Sequence, residues 1–250
     1  MSPQLAGKVV VVTGASKGIG AAIALQMAKA GAAVVVNYAT SKTGADRVVG
    51  AIVDQGGQAL AVQADVSQQA DIRRLFAEAV KAFGRVDVLV NNAGIYEFAP
   101  LEAITADHFH RQFNLNVLGL LLTTQEAVKH MGPDGGSIIN ISSVVSTAAL
   151  PSAAVYSATK ASVDVITKSL AKELGPRKIR VNAINPGMVE TEGVHAVGIS
   201  EGEFRAQVEA QTPLGRIGQP QDIAPAAVFL ASAESAWTTG ETLHISGGYR

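Results

Sequence analysis

Short β-branched runs alternate with helix-period segments along this whole chain. The first run, Lys8 to Thr13, carries four consecutive valines. A run with no polar face reads as a strand covered on both sides, as in a parallel sheet. Further strands are expected at Ala33 to Tyr38, Gln58 to Gln63, Val86 to Asn91, Ser137 to Ser142, Ile179 to Asn185 and Thr242 to Ile245. Helices are expected over residues 19–30, 41–55, 68–83, 106–130, 155–174, 200–210 and 221–232, with Gly31 and Gly56-Gly57 closing two of them. This order predicts an α/β chain with a doubly wound sheet and right-handed crossovers. No linker or repeat divides it, so residues 1–250 read as one domain. The rhythm breaks only at residues 187–218, beyond the sixth strand. Ligands of such sheets bind outside the carboxyl ends of the strands, so this segment reads as a substrate lid.

Composition narrows the function. Hydrophobic residues are 48% of 250, which supplies a core, and the formal charge of −1 leaves no basic stripe for nucleic acid. With no cysteine there is no thiolate chemistry, disulfide or thiolate metal site. The lid holds Glu190, Glu192, His195, Glu201 and Glu203 without regular spacing, and no metal site is expected. No signal pattern or membrane-length apolar run is present, so a cytoplasmic protein is expected.

Gly14, Gly18 and Gly20 form G-x-x-x-G-x-G directly after the first strand, with Ser16, Lys17 and Ile19 between them. Glycines allow a tight turn and close backbone approach, and the helix opening there offers free N–H groups to a pyrophosphate. A chance glycine-rich turn is the alternative. An acid ending the second strand would bind a ribose 2′-hydroxyl and select NAD. Asn37 stands there instead, followed by Tyr38 and Ala39. Lys17, Ser16, Thr40 or Ser41 could reach a 2′-phosphate, which points to NADPH, although Lys17 also fits a solvated surface lysine.

Tyr156 and Lys160 sit four apart at the start of the 155–174 helix, on one face. A nearby cation favours a phenolate and lowers the phenol from its usual value of about 10, which would suit acid–base catalysis. Taken alone, the pair also fits an exposed Tyr and Lys.

These pieces, together with Thr13, Asp65-Val66, Asn91-Asn92-Ala93-Gly94, Asn116, Ser143 and Pro186-Gly187, resemble the short-chain dehydrogenase/reductase family in order and spacing along nearly the whole chain. The branch it looks most like contains 3-oxoacyl-acyl carrier protein reductases and carbonyl reductases. The resemblance implies a Rossmann-type sheet of seven mainly parallel strands with helices on both faces. It implies NAD(P) binding, hydride transfer between nicotinamide and a carbonyl or alcohol, and commonly a homotetramer.

For the residues, the resemblance implies that Ser143 polarises the carbonyl and Tyr156 is the general acid. Lys160 steadies the phenolate and holds the nicotinamide ribose, and Asn116 connects a water chain to the lysine. Ser142 is adjacent to Ser143, and strand alternation lets only one face the site. Asp65 and Val66 are implied to meet the adenine. Asn91, Asn92, Ala93 and Gly94 border the adenosine ribose, with a positive φ expected near Gly94, although Asn91 fits a structural turn residue equally well. Pro186, Gly187, Val189 and Thr191 are implied to fix the nicotinamide.

Two features depart from the acyl-carrier branch. Arg177 matches a basic position there, but Asp134 lies in a loop with no Lys or Arg, where an acidic carrier would need one. An NADPH-dependent reductase of small carbonyl compounds is therefore expected. An alcohol or sugar dehydrogenase, or a carrier-protein reductase, is the alternative. A non-catalytic cofactor-sensing protein is opposed by the intact Ser143, Tyr156 and Lys160. Tyr96, Glu97 and Phe98 are expected to border the substrate, His108 and His110 to be surface residues, and Tyr249 and Arg250 to pack on a neighbouring subunit.

Overall fold

The computed structural model describes residues 4–196 and 202–249. Its strands are β1 (Val9–Val12), β2 (Ala33–Tyr38), β3 (Gln58–Gln63), β4 (Val88–Asn91), β5 (Gly136–Ile141), β6 (Ile179–Pro186) and β7 (Thr242–Ile245). They form one seven-stranded sheet in the order β3-β2-β1-β4-β5-β6-β7. Every neighbouring pair is parallel. The order reverses between β1 and β4, which opens a crevice above the carboxyl ends of those strands.

The valine-rich runs are apolar throughout because each strand feeds two cores. Val10 and Val12 of β1, Val34 and Val36 of β2 and Val88 and Val90 of β4 join one core. Val11, Val35 and Leu89, pointing the other way, join a second. The first face is covered by α1 (Gly18–Lys29), α2 (Lys42–Asp54) and α9 (Pro220–Ala231). The second is covered by α3 (Gln69–Phe83), α5 (Leu120–His130) and α6 (Ala154–Leu174). A buried polar chain crosses the sheet: Asn91 Nδ2 donates to Thr124 Oγ1 (3.0 Å) and Asn140 Oδ1 (2.9 Å), and Asn140 Nδ2 to Thr167 Oγ1 (2.9 Å). Asn91 is thus a structural amide.

The expected helix over 106–130 is divided. α4 (Ala106–Phe113) runs through a π-helical turn, Asn114–Gly119, into α5. The wide turn aims Asn116 inward. It also passes Gly119 so close to β3's connection that a Cβ there would lie 2.7 Å from Val66 O. His108, expected on the surface, is buried, with Nε2 3.0 Å from Gln112 Nε2 and 3.3 Å from Glu97 O. The 187–218 segment contributes α7 (Glu192–Ala196) and α8 (Glu203–Gln211), and Glu201 lies outside the described residues. Among the described residues no helix is long and apolar enough to cross a membrane.

Candidate active site

The glycine turn is stitched to both neighbouring strands. Gly14 N–H donates to Asn37 Oδ1 (3.1 Å), and Asn37 Nδ2 donates to Ala64 O (3.0 Å). Thr13 Oγ1 accepts from the N–H groups of Asn92 and Ala93 (both 3.0 Å), while Asn92 Nδ2 donates to Thr13 O (2.9 Å) and Gly14 O (3.0 Å). Gly14 and Gly18 adopt φ of 60° and 57°, which a side chain would resist. α1 then starts with no side-chain cap and no acid in its first turn. Its open end does have an anion: Gly18 N–H donates to Glu192 Oε2 of α7 (3.1 Å). A carboxylate at a helix N-terminus occupies the kind of place a phosphate takes.

From this turn a cavity of about 620 Å³ runs along the carboxyl ends of the strands to Tyr156. The expected site residues line it, except Tyr38, Asn91, Glu97, whose carboxylate accepts from Arg111 Nη2 (2.9 Å), and Asn116. Tyr38 is a correction: its ring is buried in the core, because alternation turns it away from the crevice, and Ala39 takes the wall. Asn37 does reach the cavity, but its amide is committed to Gly14 and Ala64, so it holds the turn in shape. Asn116 lies behind the wall. Its Oδ1 accepts from Ile95 N–H (2.9 Å), and its Nδ2 donates to Ile95 O (2.8 Å) and Thr159 Oγ1 (3.1 Å). Gly94 has no positive φ; its smallness serves Asn116, whose Oδ1 would be 3.1 Å from a Cβ there. Tyr249 lines the same cavity, whereas a neighbouring subunit was the expectation, and Arg250 lies outside the described residues.

At the far end, just beyond β5, both serines line the cavity but have different partners. Ser142 Oγ donates to Lys160 O (3.1 Å), which leaves the Ser143 hydroxyl to face the cavity. Ser143 and Tyr156 both line the cavity and lie close together. Lys160 Nζ donates to Ile141 O (2.9 Å) and stands 5.8 Å from the centroid of the Tyr156 ring. The electrostatics correct the simple expectation from Tyr–Lys spacing. Burial pushes the Tyr156 phenol up to about 12, against a smaller downward pull from Ser143. Burial also brings Lys160 down to about 8, opposed by Asp164. The closure that brings the pair together strips water from both, and burial dominates each shift.

That burial predicts a pH dependence of stability. Between about 8 and the ordinary 10.5 the unfolded chain holds a proton on Lys160 that the folded chain has lost. Stability therefore rises with pH there. Tyr156 acts oppositely, but only from 10 to about 12, where the folded chain keeps the proton. The clean window is pH 8–10. Unfolding free energies from urea titration should rise across it relative to Lys160→Met, and a constant difference between the two proteins would contradict the assignment.

Two supporting residues carried weaker sequence signals. Asp164 continues the four-residue spacing of Tyr156 and Lys160 along α6. Asn185 at the end of β6 donates through Nδ2 to Asp164 Oδ2 (3.0 Å), Ser146 Oγ (3.1 Å) and Ser143 O (3.2 Å). It thereby ties the serine's loop to the tyrosine's helix, a link that nothing in the local sequence announces.

Parallel strands in this order, a glycine turn at the crevice and a Ser–Tyr–Lys group at its far end define an oxidoreductase of Rossmann type. A family model described as enoyl-(acyl carrier protein) reductase matches residues 14–250. An uncharacterized oxidoreductase of Methylorubrum extorquens is 61% identical, over 99% of both chains. A probable tetrahydroxynaphthalene reductase of Zymoseptoria tritici is 38% identical over 98% of this chain and 95% of its own length. Among solved structures, a blue fluorescent protein from a metagenomic library in complex with NADPH superposes with a TM-score of 0.92. It is 37% identical and the match covers 98% of this chain and 99% of that one. The chain belongs to the short-chain dehydrogenase/reductase family.

Proposed function

We propose that this chain is an NADPH-dependent reductase that delivers hydride to a ketone or β-keto carbonyl of a small molecule. The observation that carries the reading is the gathering of Ser143, Tyr156 and buried Lys160 in one cavity with the glycine turn. Ser143 holds the carbonyl oxygen polarised, and Tyr156 gives it a proton. Lys160 supplies positive charge beside the phenol as that proton leaves. The nicotinamide, when bound, supplies the hydride.

The residues fit such a cofactor. Gly14 and Gly18 shape a backbone cradle, and the Glu192 carboxylate stands in for a phosphate at the Gly18 N–H. Two observations support NADPH over NADH. No carboxylate ends β2, and exposed Lys17 lines the cavity with Ser16, Thr40 and Ser41. The NADPH complex of the metagenomic relative supports the same choice, and the probable tetrahydroxynaphthalene reductase among the relatives supports the reductive direction. A carrier-protein substrate gains little, since Arg177 Nη2 is occupied with Val128 O (2.8 Å). The reading includes residues 187–218 as the substrate lid and a homotetrameric state, which exposed Leu101, Leu118, Val165 and Trp237 support.

The test is cofactor turnover with ketones, β-ketoesters and sugars. Ketone-dependent NADPH oxidation with higher kcat/KM than for NADH is expected. Preferential sugar oxidation, or a preference for NADH, would overturn the reading.

A further inference from the structure

The proposed chemistry uses one phenol, but the cavity holds a second. Tyr96 lies two residues beyond Gly94, and its ring meets those of Tyr156 (centroids 6.0 Å apart, planes at 57°) and Phe98 (6.2 Å, 49°). Phe98 in turn meets Tyr156 edge-on at 6.2 Å. The three rings form one aromatic wall of the cavity that holds Ser143.

The Tyr96 hydroxyl is fully covered, yet it makes no hydrogen bond among the described residues. Leaving such a group unpaired costs about 1–3 kcal/mol, and folded proteins pair nearly all of them. The surroundings are shaped to keep it so. Gly193 of α7 lies over the phenol, and a Cβ there would stand 2.6 Å from Tyr96 Oη. Thr191 is near enough to oppose the upward push of burial on the phenol without reaching hydrogen-bond geometry, and its Oγ1 accepts from Val194 N–H (3.3 Å). Tyr96 also adds to the upward shift of Tyr156, so the two phenols lie close together.

We infer that Tyr96 is a specificity-determining residue whose hydroxyl bonds a second oxygen of the substrate. The cavity then favours flat ring ketones that carry a further oxygen near the carbonyl over ketones that carry none. The aromatic wall suits a planar ring, and the hydroxyl, covered by Gly193 of α7 in the free protein, gains a partner when a substrate oxygen displaces that cover. This rests on the reductase reading above.

The experiment compares 2-tetralone with its 5-, 6-, 7- and 8-hydroxy derivatives, using NADPH with the wild type and Tyr96→Phe, which keeps the ring. At least one hydroxylated isomer should exceed 2-tetralone in kcat/KM about tenfold in the wild type, mainly through KM. Tenfold corresponds to about 1.4 kcal/mol, the size of one good hydrogen bond. In Tyr96→Phe this ratio should collapse to within about twofold. The melting temperature should not fall, since the hydroxyl removed has no partner in the free protein. A uniform loss on all five ketones with a lowered melting temperature would assign Tyr96 a structural role and overturn the inference. So would a wild type that gains nothing from any hydroxyl while reducing 2-tetralone. Failure to reduce any of the ketones, with NADPH binding intact by fluorescence titration, would overturn the reductase reading and this inference with it.

Discussion

Tyr156→Phe is expected to lower kcat for ketone reduction by about a thousandfold, within the 10²–10⁴ range that a positioned general acid contributes. The substitution removes one oxygen and leaves the ring. The packing of that ring against Tyr96 and Phe98 should persist, as should the course of α6 that carries Lys160. What disappears is the proton donor beside Ser143. Stability should change by no more than about 1 kcal/mol, the net worth of a typical hydrogen bond. NADPH binding, followed by fluorescence titration, should stay within about fivefold of wild type by the same bound. Because burial holds the free phenol near 12, the wild-type group is protonated throughout the neutral range and is ready to donate. A Phe variant that turns over within tenfold of wild type would remove Tyr156 from the mechanism.

Much of this arrangement was legible in the sequence, for identifiable reasons. The valine runs reported a sheet covered on both faces, since side chains alternate into two apolar cores. The four-residue spacing of Tyr156 and Lys160 reported their shared face because α6 is regular there. The misreadings share another cause. Asn37 reaches the cavity at the end of β2 as expected, but that its amide binds Gly14, 23 residues away in the chain, was not foreseen. Asn116 looked like part of one long helix, but a π-helical turn redirects it to Ile95. Tyr38 was one residue too far along an alternating strand, which sent its ring to the core. Hydrophobic period reveals which elements exist and which face is buried. It carries no information on which distant carbonyl an amide meets, nor on the energetic balance between burial and charge at Lys160. The Glu192 contact at the open end of α1 was equally invisible, since it joins residues 174 apart.

Gly20→Ala is expected to raise the dissociation constant for NADPH at least tenfold, on the order of one lost charge-assisted contact to a phosphate. Stability should fall by about 1–3 kcal/mol, the usual cost of overpacking. The cause is steric. Gly20 lies in the first turn of α1 without a positive φ, so a left-handed backbone is not involved. A Cβ there would overlap Asn92 Nδ2 and stand 2.6 Å from Gly14 O and 3.0 Å from Ala15 Cα. Asn92 cannot step aside cheaply, because its amide is already held by Thr13 O and Gly14 O. A methyl group must therefore push the turn apart at the place where its backbone faces the cavity. Gly50 of α2 provides the internal control, as a Cβ there meets nothing within 4 Å. Gly50→Ala should follow helix propensity alone and gain about 0.5–1 kcal/mol. In differential scanning calorimetry the two variants should move the melting temperature in opposite directions, by roughly 2–4 °C per kcal/mol for a chain of this size. If Gly20→Ala matched Gly50→Ala in both melting temperature and NADPH affinity, the crowding at Asn92 would be soft, and the glycine turn would lose its role as the phosphate cradle.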